Sequence, residues 1–196
     1  MNLVRFGTDY GGWTVDLDRV PETGVVIDAG IGTDLSFADA LHEVRPDLKF
    51  VGVDHTEESR DFVAKRSRPW YSMICGAIDA PGCATACVFV GINGGSESTH
   101  ADHQRVRPNY HRIVPRVDLA ELIEKHKPCL VKLDIEGSER EVLFSCLGVP
   151  QIAVEFHEKM IPSHAGFRDE AIKKFESSGY EVVFRTPTDE VTMVKR

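Results

Sequence analysis

The sequence predicts an α/β fold in which a mostly parallel sheet carries helices on both faces. Apolar runs of strand length alternate with amphipathic helical segments along most of the chain. Two runs, at residues 130–135 and 151–157, are apolar enough for strands buried on both faces, and both carry carboxylates near their ends. A third observation is a strand, a glycine turn and a helix start at residues 25–37. With 196 residues, we expect one domain over residues 1–196.

Composition excludes several classes of protein. A net charge of −8 argues against binding a phosphate backbone, so we expect no nucleic-acid partner. No apolar run approaches the roughly 20 residues of a membrane span, and residues 1–10 lack the apolar segment of a signal peptide. Five cysteines without a C-x-x-C pair indicate neither a disulfide framework nor a zinc ribbon. We therefore expect no membrane association and a reducing, cytoplasmic location.

The first elements form an edge strand and then a candidate ligand-binding turn. Residues 3–6 predict a short strand. Residues 7–13 predict a glycine turn that either packs locally, which we favour, or brings its backbone close to a ligand. Residues 25–27 predict a buried strand, and Asp28-Ala29-Gly30-Ile31-Gly32 a turn, after which Thr33 or Asp34 caps a helix that stops before Pro46. Such a turn binds the polar part of a nucleotide-like ligand, because its backbone N–H groups are unpaired.

The glycine turn is a weak match to a dinucleotide-binding motif. Gly30 and Gly32 supply the first two glycines, but the third is absent near Asp34. Asp28 and Asp34 flank the position that a pyrophosphate would take. Acidic flanks favour a cationic ligand.

Two later strands end in acids. Residues 49–54 predict a strand ending at Asp54, about 20 residues beyond Gly32, the spacing at which such folds place a carboxylate on ribose hydroxyls. Alternatively, Asp54 or Thr56 caps the helix predicted at residues 57–65. Residues 70–78 predict a third strand, after which Asp79 either accepts a hydrogen bond from an exocyclic amine of a base or starts the turn at residues 81–82.

The segment from residue 84 to residue 125 has a weaker pattern. Residues 86–90 predict a strand, 93–95 a turn, 96–110 a polar loop and 118–125 an amphipathic helix. The run from His100 to His103 resembles a metal motif, but no other ligands of matching spacing accompany it, which favours a solvated loop. A lid or an acceptor-binding segment is expected here.

The central strands define the active-site hypothesis. The first delivers Asp134 and Glu136 and breaks at Gly137, and the next ends in Glu155 and His157. If the two strands are parallel and joined by a helix, these four side chains surround one crevice. The alternative is that one acid caps a helix and the other is solvated.

Two turn signals complete the fold prediction. Ser138 and Glu141 have capping-box spacing, which predicts a helix from Ser138. A helix bearing Phe167, Ala171 and Phe175 is stopped by Gly179, and strands at residues 180–185 and 191–194 follow. The short joint between those strands predicts a terminal antiparallel hairpin.

These segments resemble the FkbM family of S-adenosylmethionine-dependent methyltransferases. The resemblance rests on Val-Lys-Leu-Asp-Ile-Glu-Gly-Ser-Glu at residues 131–139 and Val-Glu-Phe-His at residues 154–157. The glycine turn at residues 30–37 and the Tyr-Gly-Gly-Trp segment at residues 10–13 add to it. It extends from residue 7 to residue 180 and departs from the family's wider class at the missing third glycine.

The resemblance implies a class I methyltransferase-like, Rossmann-like sheet of seven strands, doubly wound and mostly parallel, with a terminal antiparallel hairpin. By matching position, Asp28, Gly30 and Gly32 would hold the methionine half of S-adenosylmethionine, Asp54 its ribose and Asp79 its adenine amine. The cofactor's sulfonium and ammonium also suit an acidic crevice.

The function expected from this resemblance is O-methylation of a hydroxyl on a small molecule or sugar. Asp134 and Glu136 would act in the crevice with His157 as base, oriented by Glu155 or Glu136. Alternatively, His157 caps its strand or packs against nearby residues. Two other functions remain open, a nicotinamide-dependent oxidoreductase and a binding domain without catalysis.

A metal in the crevice is a separate question. The oxygen ligands at the strand ends would favour magnesium or calcium over zinc. However, carboxylates that face a cationic cofactor need no metal, and we predict none.

Overall fold

A computed structural model describes residues 1–92, 96–187 and 189–196. Its helices and strands follow each other in the order predicted for an α/β fold. They are β1 (Leu3–Phe6), β2 (Trp13–Asp16), β3 (Thr23–Ala29), α1 (Ser36–Val44), β4 (Asp47–Asp54), α2 (Glu57–Ala64), β5 (Tyr71–Cys75), β6 (Ala77–Ile78), β7 (Thr85–Gly91), β8 (Val106–Val117), α3 (Leu119–His126), β9 (Leu130–Leu133), α4 (Glu139–Val142), β10 (Gln151–Glu155), α5 (Phe167–Ser177), β11 (Tyr180–Arg185) and β12 (Glu190–Lys195).

The main sheet confirms the predicted fold class. Its seven described strands are in the order β11-β12-β10-β9-β3-β4-β5. β10, β9, β3, β4 and β5 pair in parallel, whereas β12 pairs antiparallel with both β10 and β11. The strand order reverses between β3 and β9, and a doubly wound sheet binds ligands at this switch point, beyond the carboxyl ends of its strands.

Apolar cores cover both faces of the sheet. On one face, Ile27 and Val131 belong to the cluster that contains Leu122 of α3 and Phe175 of α5. On the other face, neighbouring strand residues pack with α1 and the β1–β2 hairpin in a second cluster. Successive residues of β3 and β9 therefore serve opposite cores, which explains why these strands are apolar on both faces apart from the buried pair Asp28 and Lys132.

The region before α3 differs from the prediction. The expected strand over residues 70–78 breaks at Gly76, where a Cβ would lie 2.7 Å from the carbonyl oxygen of Pro115. Beyond the break, β6 joins β8 and β7 in a separate three-stranded sheet. The loop predicted to run to residue 110 is wrong in its second half, because β8 begins at Val106. Most of the first half of β8 is exposed and polar, so the sequence shows no apolar alternation that would mark it as a strand.

The predicted capping box after β9 is also wrong. Helix α4 begins one residue after Ser138, but the Ser138 side chain caps no N–H group. Its hydroxyl instead hydrogen-bonds that of Thr99 at 2.7 Å, and the Glu141 carboxylate lies 3.3 Å from His100 Nε2. A loop distant in sequence has replaced the local cap.

Several smaller predictions have mixed outcomes. Thr56, one of the two residues offered as a cap for α2, does cap it, and Asp118, for which no cap was predicted, caps α3. The turn predicted at residues 93–95 lies outside the described residues. The five cysteines, all within the described ranges, are free thiols. Over the same ranges, none of the helices combines the length and apolar character needed to cross a membrane.

Candidate active site

A cavity of about 900 Å³ lies beyond the carboxyl ends of β3, β4, β9 and β10. Seven of the predicted site residues line it: Gly30, Gly32, Asp54, Asp134, Glu136, Glu155 and His157. The lining also includes Ile78 but not its neighbour Asp79, and it does not include Asp28. The parallel pairing of β9 with β10 thus brings the four crevice side chains to one wall, as the strand ends predicted.

The glycine turn is tightly packed at one glycine and open at the other. Gly30 has φ +77°, and a Cβ there would lie 1.6 Å from the carbonyl oxygen of Asp134. Gly32 has φ +55°, but nothing lies within 4 Å of the position of its Cβ. The absence of a side chain at Gly30 therefore permits the turn after β3 to pack against the backbone that follows β9, whereas Gly32 leaves space in the cavity.

Lys132 holds the glycine turn from beneath. Its buried ammonium donates to the carbonyl oxygen of Ala29 at 3.0 Å and to that of Gly30. Asp28 Oδ1 lies 3.4 Å from the same ammonium, and Asp28 Oδ2 accepts a 3.0 Å hydrogen bond from the Tyr71 hydroxyl. Asp28 is thus the counter-ion of Lys132, under the turn. The sequence showed Lys132 on the strand but gave no signal for this role.

Asp54 closes the turn from the side of β4. Its Oδ2 accepts hydrogen bonds from the N–H groups of Ile31 and Gly32 at 3.0 and 2.9 Å. Its Oδ1 accepts from the N–H and hydroxyl of Thr56 at 2.8 and 2.7 Å. A carboxylate has about four lone-pair sites, so these four donors use its acceptor capacity. The role predicted for Asp54 on a ribose stays a prediction.

His157 lies among three carboxylates. Its Nδ1 is 2.9 Å from Glu139 Oε1, and its Nε2 is 3.6 Å from Asp134 Oδ1 and 3.5 Å from Glu136 Oε2. His103 Nε2 is a further 3.2 Å from Glu136 Oε2. Sequence reasoning missed Glu139 and His103 as members of this cluster, because neither follows a strand end.

The backbone at Glu136 is strained. This residue has φ 51°, in the left-handed region that non-glycine residues rarely adopt. The Ser98 hydroxyl donates to its carbonyl oxygen at 2.5 Å, which anchors the bend from the loop before β8. Strain of this kind persists only where the surroundings impose it, and it is common at active sites.

Burial and close charges shift the pKa of several groups at this wall of the cavity. Although burial acts to lower it, the charges of Glu139, Glu136 and Asp134 raise the pKa of His157 to about 10. Burial and the charge of Asp134 raise the pKa of Glu155 to about 7. Burial also raises the pKa of Asp134. At neutral pH, His157 therefore carries a proton, and the pKa of Glu155 lies close to the working pH.

The same cluster is compact enough for a divalent cation. Ligand atoms of Asp134, Glu136 and His157 lie within 4.8 Å of one another. However, protonated His157 already supplies positive charge to these carboxylates. The expectation that the crevice needs no metal stays a prediction.

Comparison with known proteins assigns the family. The sequence profile described as the methyltransferase FkbM domain matches residues 33–182. The chain belongs to the methyltransferase FkbM domain family. The matched span contains Asp54 and the whole carboxylate cluster, and it begins immediately after Gly32. No curated protein matches the chain by sequence.

Three solved structures of low sequence identity are similar to this FkbM domain. A chain of the fibrillarin/Nop5p complex is 13% identical, with a TM-score of 0.50 over 90% of this chain and 74% of that one. Precorrin-6y C5,15-methyltransferase from Geobacter metallireducens GS-15 is 12% identical, with a TM-score of 0.49 over 89% of this chain and 81% of that one. A SAM-dependent methyltransferase from Aquifex aeolicus is 12% identical, with a TM-score of 0.43 over 91% and 87% of the two chains.

Proposed function

We propose that the chain transfers a methyl group from S-adenosylmethionine to a hydroxyl of a small molecule or sugar. The observation that carries this proposal is a single cavity with the glycine turn on one wall and the carboxylates of β9 and β10 on another. Family membership supports methyl transfer. The cavity, at about 900 Å³, is near the upper end of the roughly 300–1,000 Å³ typical of ligand sites, which suits a cofactor with a small acceptor.

The residues of the cavity fit a cationic cofactor. The space above Gly32 is open, so a ligand can approach the turn's backbone. Glu136 Oε2 is buried, and its close contacts with His103 Nε2 at 3.2 Å and His157 Nε2 at 3.5 Å lack hydrogen-bond geometry. When bound, S-adenosylmethionine supplies an electrophilic methyl group on a sulfonium. Asp134 and Glu136 would face that positive charge, while Gly30 and Gly32 would form the wall beside it.

We assign to Glu155 the role of general base, which removes the proton of a hydroxyl acceptor. A general base works best when its pKa is close to the working pH, and the pKa of Glu155 is about 7. His157, the base expected from the sequence, has a pKa of about 10 and holds a proton instead. We therefore give His157 the task of fixing Asp134, Glu136 and Glu139 around the reacting groups. Alignment of acceptor and methyl would supply most of the rate.

Glu155→Gln tests this assignment. Loss of a general base slows the chemical step by about 10²–10⁴-fold, and the rise in activity through about pH 7 should disappear. The matched control is Glu181→Gln, which removes a half-exposed carboxylate on β11, outside the cavity. The measurement is transfer of labelled methyl from S-adenosylmethionine to a panel of sugars and hydroxylated small molecules, at several pH values.

Two outcomes would contradict the proposal. Glu155→Gln with wild-type activity and an unchanged pH profile would remove Glu155 as the base. The panel also includes an RNA. Methylation of that RNA, with every sugar and small molecule left unlabelled, would overturn the acceptor class.

A further inference from the structure

A second cluster of ligand-type side chains lies outside the cavity lining. It consists of His100, Glu141 and His164, whose candidate ligand atoms all lie within 4.8 Å of one another. His100 comes from the loop before β8, Glu141 from α4, and His164 from the segment between β10 and α5. The run from His100 to His103, isolated in the sequence, is thus completed by residues from two other segments. Its second histidine, His103, contacts Glu136 instead.

Two buried polar atoms of this cluster form a close ion pair that lacks hydrogen-bond geometry. His100 Nε2 and Glu141 Oε2 are 3.3 Å apart, yet both are buried and neither makes a hydrogen bond within the described part of the chain. The rings of His100 and His164 meet edge to face, with centroids 4.3 Å apart. His164 is itself only 3% exposed. Buried polar atoms that miss hydrogen-bond geometry are costly, and an ion bound between them would satisfy both.

We propose that His100, Glu141 and His164 bind a transition-metal ion, with zinc as the best match. Two imidazole nitrogens and one carboxylate oxygen form a ligand set that zinc accepts. In a tetrahedral zinc site with bonds of about 2.0–2.1 Å, ligand atoms lie roughly 3.4 Å apart. The 3.3 Å between His100 Nε2 and Glu141 Oε2 agrees with that spacing. Water would take the fourth position.

Hydrogen bonds already hold the three ligand-bearing segments together. The Thr99 hydroxyl meets that of Ser138 at 2.7 Å, which joins the loop to α4. The Ser163 N–H donates to Asp102 at 3.2 Å, and Arg140 donates to the Ser163 carbonyl oxygen. These contacts are made by sequence neighbours of the three ligands, so they fix the backbone segments that carry them. Little rearrangement is therefore needed to bind the ion.

The metal would stabilise one wall of the active site. A Cβ at Gly137 would lie 3.0 Å from His100 Cδ2, so the site is adjacent to the bend that follows Glu136. An ion there links this bend to the loop before β8 and to the segment after β10. Its role would be structural, and its presence does not depend on which acceptor the cavity takes.

The test uses the full chain and zinc alone. The protein is exchanged into chelator, returned to buffer with Zn²⁺, freed of excess ion by gel filtration and analysed for bound metal. We expect about one zinc per chain and a higher thermal midpoint with Zn²⁺ than with chelator, because an ion that binds only the native state stabilises it. Co²⁺ in place of Zn²⁺ should give the visible absorption of a tetrahedral site with nitrogen and oxygen ligands.

Variants locate the ion. Glu141→Gln and His164→Gln should weaken Zn²⁺ binding by more than the roughly 10–100-fold that loss of an outer partner costs. His111→Gln, at an exposed histidine of β8, is the matched control and should keep the ion. Asp134→Asn should also keep it, because Asp134 belongs to the other cluster.

Three results would overturn the proposal. The first is a folded wild-type chain that retains no zinc and shows no Co²⁺ absorption, which would leave His100 and Glu141 as an ion pair. The second is zinc retained equally by both ligand variants. The third is zinc lost only in Asp134→Asn. Because the wild-type measurement stands alone, a variant that fails to fold does not prevent a decision.

Discussion

At the residue scale, the environment of a side chain decides its chemistry more than its type does. A histidine after a strand suggests a base with a pKa near neutrality. His157 instead contacts Glu139, from helix α4, and lies among Asp134 and Glu136, which together raise its pKa to about 10. The sequence located His157 at the strand end but could not supply this pairing, since Glu139 looks like any acid in the first turn of a short helix.

The raised pKa of His157 predicts a pH-dependent stability. A histidine whose pKa is higher in the folded state contributes stability fully below about pH 6.5 and loses it as the pH rises through about 10. The free energy of unfolding of the wild type should therefore exceed that of His157→Gln most at pH 6.5. The excess should shrink steadily toward pH 10. Urea unfolding of both proteins at several pH values measures it.

Exposed His111 provides the control for this comparison, as His111→Gln. A difference between the wild type and His157→Gln that is the same at pH 6.5 and pH 10 would show that His157 is not held protonated by its neighbours.

At the element scale, the strands and the glycine turn were predictable because their signals are local. Buried parallel strands are mostly apolar on both faces, and Gly30 and Gly32 mark the turn after β3. The missed features depend on distant partners. Strand β8 is held by backbone pairing with β7 although much of it is polar and exposed, and the cap expected on α4 is replaced by contacts with the loop before β8.

The glycine turn predicts unequal costs for two alanine substitutions. Gly30→Ala would place a Cβ 1.6 Å from the Asp134 carbonyl oxygen, so β3 and β9 would have to separate. Gly32→Ala meets no atom within 4 Å and suffers only the left-handed backbone, a cost of about 1–2 kcal/mol. We expect Gly30→Ala to lower the free energy of unfolding, measured with urea, by at least about 2 kcal/mol more than Gly32→Ala does. Equal costs would show that the turn is not packed against β9.

At the scale of the whole molecule, the doubly wound sheet explains why distant segments share one cavity. The strand order reverses between β3 and β9, and the cavity lies beyond the carboxyl ends of these strands and of β4 and β10. The sequence predicted this architecture, and residues 130–157 predicted one wall of the crevice. It did not show that Asp28 lies beneath the turn, because an acid at the end of a buried strand can face either the ligand or a buried lysine.

The most direct test of the account is calorimetric titration with S-adenosylmethionine. Wild-type protein should bind it at one site per chain and should not bind a nicotinamide cofactor. Gly32→Val fills the open space beside the turn and should weaken binding at least about tenfold, while circular dichroism shows a folded chain. No binding by the wild type, equal affinity in Gly32→Val, or binding of the nicotinamide cofactor instead would contradict the assignment of this cavity.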